Sequence, residues 1–169
     1  SKSNWNIDPI GGSYNGDVMA RAEGAVQGFV VHDADQCQYF HTYYDSEGNS
    51  LLGGNTYTIT FQKDQLYQAD AFWSIVAYDA EYNLVPRKDL HYAVSDRSEE
   101  LQYNKDRSLT IYIQSEEPEG KKNNRVPIPK EGIFKLNFRN YMPKETLLNK
   151  NTVENYLPGV VKNKNKIKG

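Results

Sequence analysis

The chain has 169 residues, a formal net charge of −2 and a pI near 5.9. This length suits one domain, which can bury roughly 70% of the surface of its unfolded chain and needs no disulfide or metal for stability. The weakly acidic balance argues against general affinity for nucleic acid. The single cysteine, Cys37, excludes an intramolecular disulfide and a zinc site built from several cysteines.

Positive charge is concentrated at the C-terminus. Residues 161–169, VKNKNKIKG, hold four lysines and no acidic residue, so the rest of the chain carries −2 minus 4, which is −6. We predict one domain over residues 1–160 and a basic, disordered tail over residues 161–169. No run approaches the roughly 18 apolar residues of a membrane span, and the N-terminus lacks the apolar core of a signal peptide. We therefore expect a soluble chain with no membrane span and no nucleic-acid partner.

Amino-acid usage indicates the kind of genome that encodes the chain. Asn, Lys, Tyr and Ile supply 52 of the 169 residues, whereas Arg supplies 6. These four residue types have AT-rich codons, and AT-rich genomes occur in some large DNA viruses, protists and bacteria. A viral source is one of the origins that this bias allows, and the bias carries no information about activity.

The first predicted element is a helix over residues 17–31, DVMARAEGAVQGFVV. Its apolar residues follow helical spacing, and Ser13, Asn15 or Asp17 is available as the N-cap. After this helix the apolar period changes from 3.6 to 2, which is the period of a strand with one buried face. The predicted buried face is Tyr57, Ile59 and Phe61 in TYTITF, and Leu109, Ile111 and Ile113 in SLTIYIQS.

Two further segments are predicted strands with distinctive faces. DAFWSIVAYD, residues 70–79, is largely apolar on both faces, which predicts a strand that is covered on both sides. GIFKLNFRNY, residues 132–141, places Phe134, Leu136 and Phe138 on one face and Lys135, Asn137 and Arg139 on the other. QYFHTYYD and HYAVS are weaker strand candidates of the same kind.

Short strands separated by turn signals, without alternating helices, indicate the fold class. We predict a mainly β fold, an antiparallel β-sandwich of jelly-roll type with one N-terminal helix and a few short helical turns. The polar stretch EEPEGKKNNRVPIPKEG, residues 116–132, is predicted to be an exposed loop. PKETLLN, residues 143–149, is predicted to form a short helix with Pro143 in its first turn.

Four of these segments also resemble a known family. YTITF, DAFWSIVAYD, SDRSEELQYNKDRSLTIYIQ and VPIPKEGIFKLNFRNYMPK occur in the order and spacing of the bacterial domain of unknown function family 1214, over about residues 40–145. The resemblance implies a mostly antiparallel jelly-roll sandwich. In bacterial relatives this domain usually follows family 1254, and we expect this chain to lack that first domain. The chain departs from the family at Arg125, where Trp is common, and the family has no secure activity.

Most local candidates for chemistry have a simpler structural interpretation. Asp70 and Asp79 are nine residues apart on a predicted strand, about 30 Å, so they cannot act as a paired acid and base. Trp73 is expected to lie in the core. His32 and its acidic neighbours lack the spacing of a metal site, and GGSYNGD lacks that of a nucleotide-binding loop, so we expect no metal and no cofactor.

One dispersed set of residues remains as a candidate site. It includes four charged residues, Arg21, Asp96, Arg97 and Arg139. In the family that the chain resembles, the same residue types are common at these four positions. One interpretation is structural, with buried arginines paired to aspartates that hold loops on the sandwich. The other is a pocket that grips a carboxylate, a phosphate or a sugar, with an aromatic wall formed by Tyr57, Trp73 or Tyr78.

Three functional hypotheses follow from the sequence. The first is a non-catalytic β-sandwich module for binding or assembly, with a small anionic or sugar ligand or a second copy of the chain as partner. The second is a hydrolase or lyase acting on a carbohydrate or ester, with Asp96, Arg97 and a histidine in its pocket. The third is a structural protein of a virion or cell surface. The fold alone does not decide among them, and no catalytic residue is assigned.

Overall fold

The computed structural model describes residues 3–7, 17–19, 22, 32–85 and 91–164. Within these ranges the chain is mainly β, as predicted. In chain order the strands are β1 (Asn6–Ile7), β2 (Cys37–Thr42), β3 (Tyr57–Phe61), β4 (Ala69–Tyr78), β5 (Ala93–Ser95), β6 (Leu109–Ile113), β7 (Arg125–Val126), β8 (Lys135–Pro143) and β9 (Val161–Lys162).

Helical structure in these ranges is short. The helix α1 (Glu145–Leu148) confirms the predicted C-terminal helix, but Pro143 ends β8 and does not lie in the first helical turn. Three-residue to four-residue 3-10 turns occur at Lys63–Gln65, Lys122–Asn124 and Val153–Tyr156. The predicted helix over residues 17–31 lies largely outside the described residues, as does Arg21. None of the helices in the described ranges has the length and apolar character needed to cross a membrane.

The strands form two sheets. One has the order β1-β2-β8-β4-β5 and the other the order β7-β6-β3-β9. All pairs are antiparallel except β6 and β7, which are parallel. The long central pair β4 and β8 holds Phe72 opposite Tyr141, Ser74 opposite Arg139, and Tyr78 opposite Lys135. This register decides which side chains share a face of the sheet, because neighbouring side chains along a strand point to opposite faces.

The core lies between the two sheets. The predicted alternation in β3 and β6 is confirmed, since Tyr57, Ile59, Phe61, Leu109, Ile111 and Ile113 are buried and the residues between them are half-buried. Phe61 of β3 joins the sheets, because its ring centre lies 6.0 Å from that of Trp73 and 5.4 Å from that of Phe138. Tilted and offset aromatic contacts at these separations are favourable.

The five-stranded sheet has a second face, which we call the outer face. It is formed by the residues of β2, β4, β5 and β8 that point away from the core, which are Cys37, Tyr39, His41, Phe72, Ser74, Val76, Tyr78, Ala93, Ser95, Lys135, Asn137, Arg139 and Tyr141. None of these residues is acidic. Cys37, Val76 and Lys135 are buried. Burial of Val76 confirms that β4 is covered on both sides at its centre.

Residues 116–132 are not the fully exposed loop that their polarity predicts. Val126 and Ile128 are buried in the core, and the buried Asn124 holds this segment against its neighbours. The Asn124 amide nitrogen donates to the carbonyl oxygens of Gln102 at 2.8 Å and Thr110 at 2.9 Å, and its oxygen accepts from the Gln102 amide at 2.9 Å. Val126 and Ile128, which lie among charged residues in the sequence, therefore pack this segment against the core.

The beginning of the predicted tail takes part in a sheet. Val161 and Lys162 form β9 opposite Thr58 and Tyr57 of β3. The backbone amide of Asn163 also donates to the Thr56 carbonyl at 2.9 Å. We therefore place the start of the tail after Asn163, and residues 165–169 lie outside the described ranges.

Candidate functional site

Two cations on the outer face flank a single tyrosine ring. Lys135 is buried and Arg139 is half-buried, and both point outward because they alternate along β8 with the core residues Leu136 and Phe138. Lys135 Nζ lies 5.7 Å and Arg139 Cζ 5.9 Å from the centre of the Tyr78 ring. Arg139 Nη2 also donates a 2.5 Å hydrogen bond to the Tyr78 hydroxyl. Tyr78 therefore fixes the direction of the Arg139 guanidinium.

Lys135 lies in a tyrosine cage formed by Tyr43, Tyr78 and Tyr82. Its Nζ is 5.9, 5.7 and 4.3 Å from the centres of these three rings, distances at which a ring face attracts a cation. The hydroxyls of Tyr43 and Tyr82 are 3.3 Å apart. Burial and this contact raise the pKa of Tyr43 to about 12, so its hydroxyl is protonated at neutral pH.

The turn after β4 positions Tyr82 in this cage. Asp79 Oδ1 accepts hydrogen bonds from the backbone amides of Glu81 at 3.0 Å and Asn83 at 2.8 Å, so Asp79 is a turn residue. Tyr82 has a φ of +65°, in the left-handed region that normally favours Gly or Asn. A glycine there would avoid the strain but would leave Lys135 without its nearest ring. The strained residue is therefore the one that covers the lysine.

The two cations have no carboxylate partner within the described ranges. Two ion pairs of the described ranges, Lys130 with Glu116 and Lys144 with Asp70, join other lysines that are more exposed. Burial, together with the positive charge of Arg139, lowers the pKa of Lys135. Attraction by the three rings opposes this shift but adds no negative charge. Among the described residues, the outer face therefore carries two sheltered positive charges that no carboxylate pairs.

Hydrogen-bonding groups lie beside the two cations. Asn137 is on the same face between them, and its buried Oδ1 has no hydrogen-bond partner among the described residues, which is uncommon for a buried polar atom. Tyr39 lies opposite Arg139 across β2 and β8. Burial, with the neighbouring Cys37 thiol, raises the pKa of Tyr39, so its hydroxyl remains a donor. We call Lys135, Asn137 and Arg139 the anion site.

Two of the sequence-predicted aromatic residues lie in the core and away from this site. The Tyr57 hydroxyl accepts from the Leu52 amide at 2.9 Å, and its ring centre lies 5.8 Å from that of Phe134. Trp73 packs between Phe61 and Phe138, as expected of a core residue. Neither ring is on the outer face, so of the three candidate wall residues only Tyr78 adjoins the anion site.

Asp96 and Arg97 lie at the edge of the same sheet and do not join Arg139. Asp96 Oδ1 accepts from the Trp73 amide at 3.2 Å. Arg97 is exposed, its Cζ is 4.3 Å from the centre of the Phe72 ring, and its Nη2 donates to the Ala71 carbonyl at 3.4 Å. No ion pair joins Asp96 and Arg97. The predicted buried pairing of Arg97 with an aspartate is therefore replaced by stacking on Phe72 at the surface.

Comparisons with known proteins agree with this architecture. Residues 36–145 match the family described as Protein of unknown function (DUF1214), and the chain belongs to that family. No curated protein matches the chain. The fold resembles that of the VPA0106 protein from Vibrio parahaemolyticus, with a TM-score of 0.68 and 23% identity over 85% of this chain and 34% of that one.

A second solved structure is more distant. It is an uncharacterized protein from Burkholderia cenocepacia, with a TM-score of 0.51 and 13% identity over 78% of this chain and 30% of that one. This chain thus spans about one third of the length of each of the two solved proteins. Identities this low establish a shared fold and do not transfer an activity.

Proposed function

We propose that this chain is a non-catalytic binding module whose ligand carries an anionic group held at the anion site by Lys135 and Arg139. The observation that carries the proposal is the pair of sheltered cations that lie 5.7 and 5.9 Å from the Tyr78 ring centre, without a carboxylate partner in the described ranges. Two like charges near each other and away from water are unfavourable until an anion joins them. We also propose that the chain forms a single β-sandwich domain with jelly-roll connectivity, and that the anion site lies on this domain.

The chemistry of the site favours a small oxyanion. Arg139 offers a planar guanidinium that suits the two oxygens of a carboxylate, phosphate or sulfate. The Asn137 amide and the Tyr39 hydroxyl supply further polar contacts, which would suit a ligand that also bears hydroxyl groups. The hydrolase or lyase hypothesis required Asp96 and Arg97 to act with a histidine. No observation favours it, because Asp96 is bonded to the Trp73 backbone.

A thermal-shift screen of small anions tests the proposal. Inorganic phosphate, sulfate, acetate and citrate would be compared at constant ionic strength with chloride as the reference. A ligand that binds only the folded state raises the melting temperature by an amount that grows with the logarithm of its concentration above the Kd. We expect at least one oxyanion to raise the melting temperature of the wild type and to lose this effect in Arg139→Gln.

Arg97→Gln is the matched control, because it removes one positive charge from an exposed arginine of the same sheet. We expect it to keep the full oxyanion shift. An equal loss of the shift in both variants would attribute the effect to net charge and would contradict the proposed site. Absence of any oxyanion shift in the wild type would contradict the proposed function.

A further inference from the structure

We infer that Lys135 is a reactive amine that forms a reversible imine with a carbonyl group of the ligand, so that the ligand class is an anionic aldehyde or ketone, such as an oxo acid. This inference rests on the proposed function, since the anion would be held by Arg139 while the carbonyl group meets Lys135. Lys135 Nζ and Arg139 Cζ lie 5.7 and 5.9 Å from the centre of the same Tyr78 ring, so both cations adjoin the space around that ring.

The surroundings of Lys135 differ from those of an ordinary surface lysine. It is 7% exposed, and its amine makes no hydrogen bond or ion pair with any described residue. Lys130 and Lys144, by comparison, have side chains that are 84% and 46% exposed and pair with carboxylates at 3.7 and 3.6 Å. Among the described residues, the Lys135 amine faces the three rings of the tyrosine cage. None of these tyrosines donates a hydrogen bond to its nitrogen, so the lone pair of the neutral amine is not engaged by a described residue.

Electrostatic effects in the cage lower the pKa of Lys135 and so increase the fraction of its amine that is neutral. Burial penalises the ammonium, and the Arg139 guanidinium repels it, so the pKa of Lys135 lies below its ordinary value. Desolvation and a neighbouring cation are the two means by which proteins activate lysine for reaction with carbonyl compounds. The ring faces stabilise the protonated form and limit this shift. An anion bound at Arg139 would reduce the repulsion, and the imine would then form from the fraction of neutral amine.

The proposed step balances without an oxidant or a reductant. The neutral Lys135 Nζ attacks the carbonyl carbon, a C–N bond forms, and the carbonyl oxygen takes up a proton to give a carbinolamine. Loss of that oxygen as water, with the remaining N–H proton passing to solvent, leaves a C=N bond. The rings of Tyr43 and Tyr82 border the cage and their hydroxyls are 3.3 Å apart, and the raised pKa of Tyr43 keeps its hydroxyl a hydrogen-bond donor that could serve the departing oxygen.

Reductive trapping tests the inference on the intact protein. Wild-type protein would be incubated at neutral pH with glyoxylate, a small anionic aldehyde, and cyanoborohydride, which reduces imines to stable secondary amines. After digestion with a protease that does not cut at lysine, mass spectrometry would give the rate of modification at each lysine. We expect Lys135 to react faster than Lys130 and Lys144, because a lowered pKa leaves a larger fraction of its amine neutral. If the rate of modification instead increases with side-chain exposure and Lys135 is among the slowest lysines, the inference is overturned.

Two further arms separate this inference from the proposed function. Acetaldehyde carries no anionic group, and Arg139→Gln removes the residue proposed to hold the anion. We therefore expect Lys135 to be labelled less preferentially with acetaldehyde, and also in the Arg139→Gln variant with glyoxylate. Preferential labelling of Lys135 that is the same for both aldehydes and for Arg139→Gln would support the reactive amine and contradict the anion site. An oxyanion thermal shift without preferential labelling of Lys135 would support the anion site and overturn the imine.

Discussion

Trp73 is a core residue whose ring contacts residues of both sheets. It is 5% exposed, and its ring packs on Phe61 of the four-stranded sheet and Phe138 of its own sheet. We predict that Trp73→Ala lowers the free energy of unfolding by about 3 to 5 kcal/mol, because the change removes a large buried ring and leaves a cavity. Urea denaturation measures this loss. A loss below about 1 kcal/mol would show that the ring is not part of the core.

Arg97 is expected to matter much less for stability. A buried arginine paired with an aspartate would cost several kcal/mol to remove, but Arg97 is exposed and stacks on Phe72. We predict that Arg97→Ala changes the free energy of unfolding by less than about 1 kcal/mol, since exposed contacts between a cation and a ring are weak. A loss of several kcal/mol on urea denaturation would instead support the structural interpretation, in which Arg97 is paired with an aspartate.

Residue patterns predicted the core better than they predicted the site. Alternation identified Tyr57, Ile59 and Phe61 as one buried face because burial imposes a period of two on a strand. The same pattern put Lys135 and Arg139 on one polar face, but it gave no reason to expect that face to be sheltered. Tyr82 joins the site only through the turn that folds it over Lys135, and no local sequence rule signals that contact.

At the scale of elements, the connection from β2 to β3 approaches the segment before β8 very closely. A Cβ atom at Gly53 would lie 2.5 Å from the Glu131 amide nitrogen and 2.6 Å from the Pro129 carbonyl oxygen, both backbone atoms that cannot easily move. We predict that Gly53→Ala lowers the free energy of unfolding by about 2 kcal/mol or more.

Gly48 provides the matched control for this prediction. It has a φ of +88°, but no atom lies within 4 Å of the position that a Cβ would take, so Gly48→Ala meets backbone strain without a clash. Strain of this kind costs about 1 kcal/mol. Both variants would be measured by chemical denaturation, and a Gly53→Ala protein as stable as Gly48→Ala would contradict the close approach of these segments.

The C-terminal strand gives a second prediction at this scale. β9 pairs with β3, and Asn163 extends the contact, whereas residues 165–169 are polar or basic apart from Ile167 and Gly169. Deleting residues 165–169 should leave the melting temperature unchanged, because these residues have little apolar surface to offset the entropy of ordering. Deleting residues 161–169 should lower it by several degrees through loss of the strand pairing. Equal melting temperatures for the two truncations would show that β9 does not contribute.

At the scale of the whole molecule, the mainly β character and most strands could be predicted, because turns and alternating apolar residues are local signals. The pairing of β8 with both β2 and β4 could not, since it joins segments that are distant along the chain. That pairing is what brings Tyr39, Tyr78 and Arg139 together. Arg97 and Arg139 have the same residue type, and only the tertiary fold distinguishes the exposed arginine from the sheltered one.

The central claim is that the outer face binds an anion between Lys135 and Arg139. Titration of nitrogen-15-labelled protein with inorganic phosphate at constant ionic strength, followed by amide chemical shifts, tests it most directly because weak binding is both detected and located. We predict saturable shifts that are largest at residues 135–141 of β8 and 74–78 of β4, and that are lost in Arg139→Gln. Shifts confined to residue 97 or to the C-terminal lysines, or no saturable shift, would contradict it.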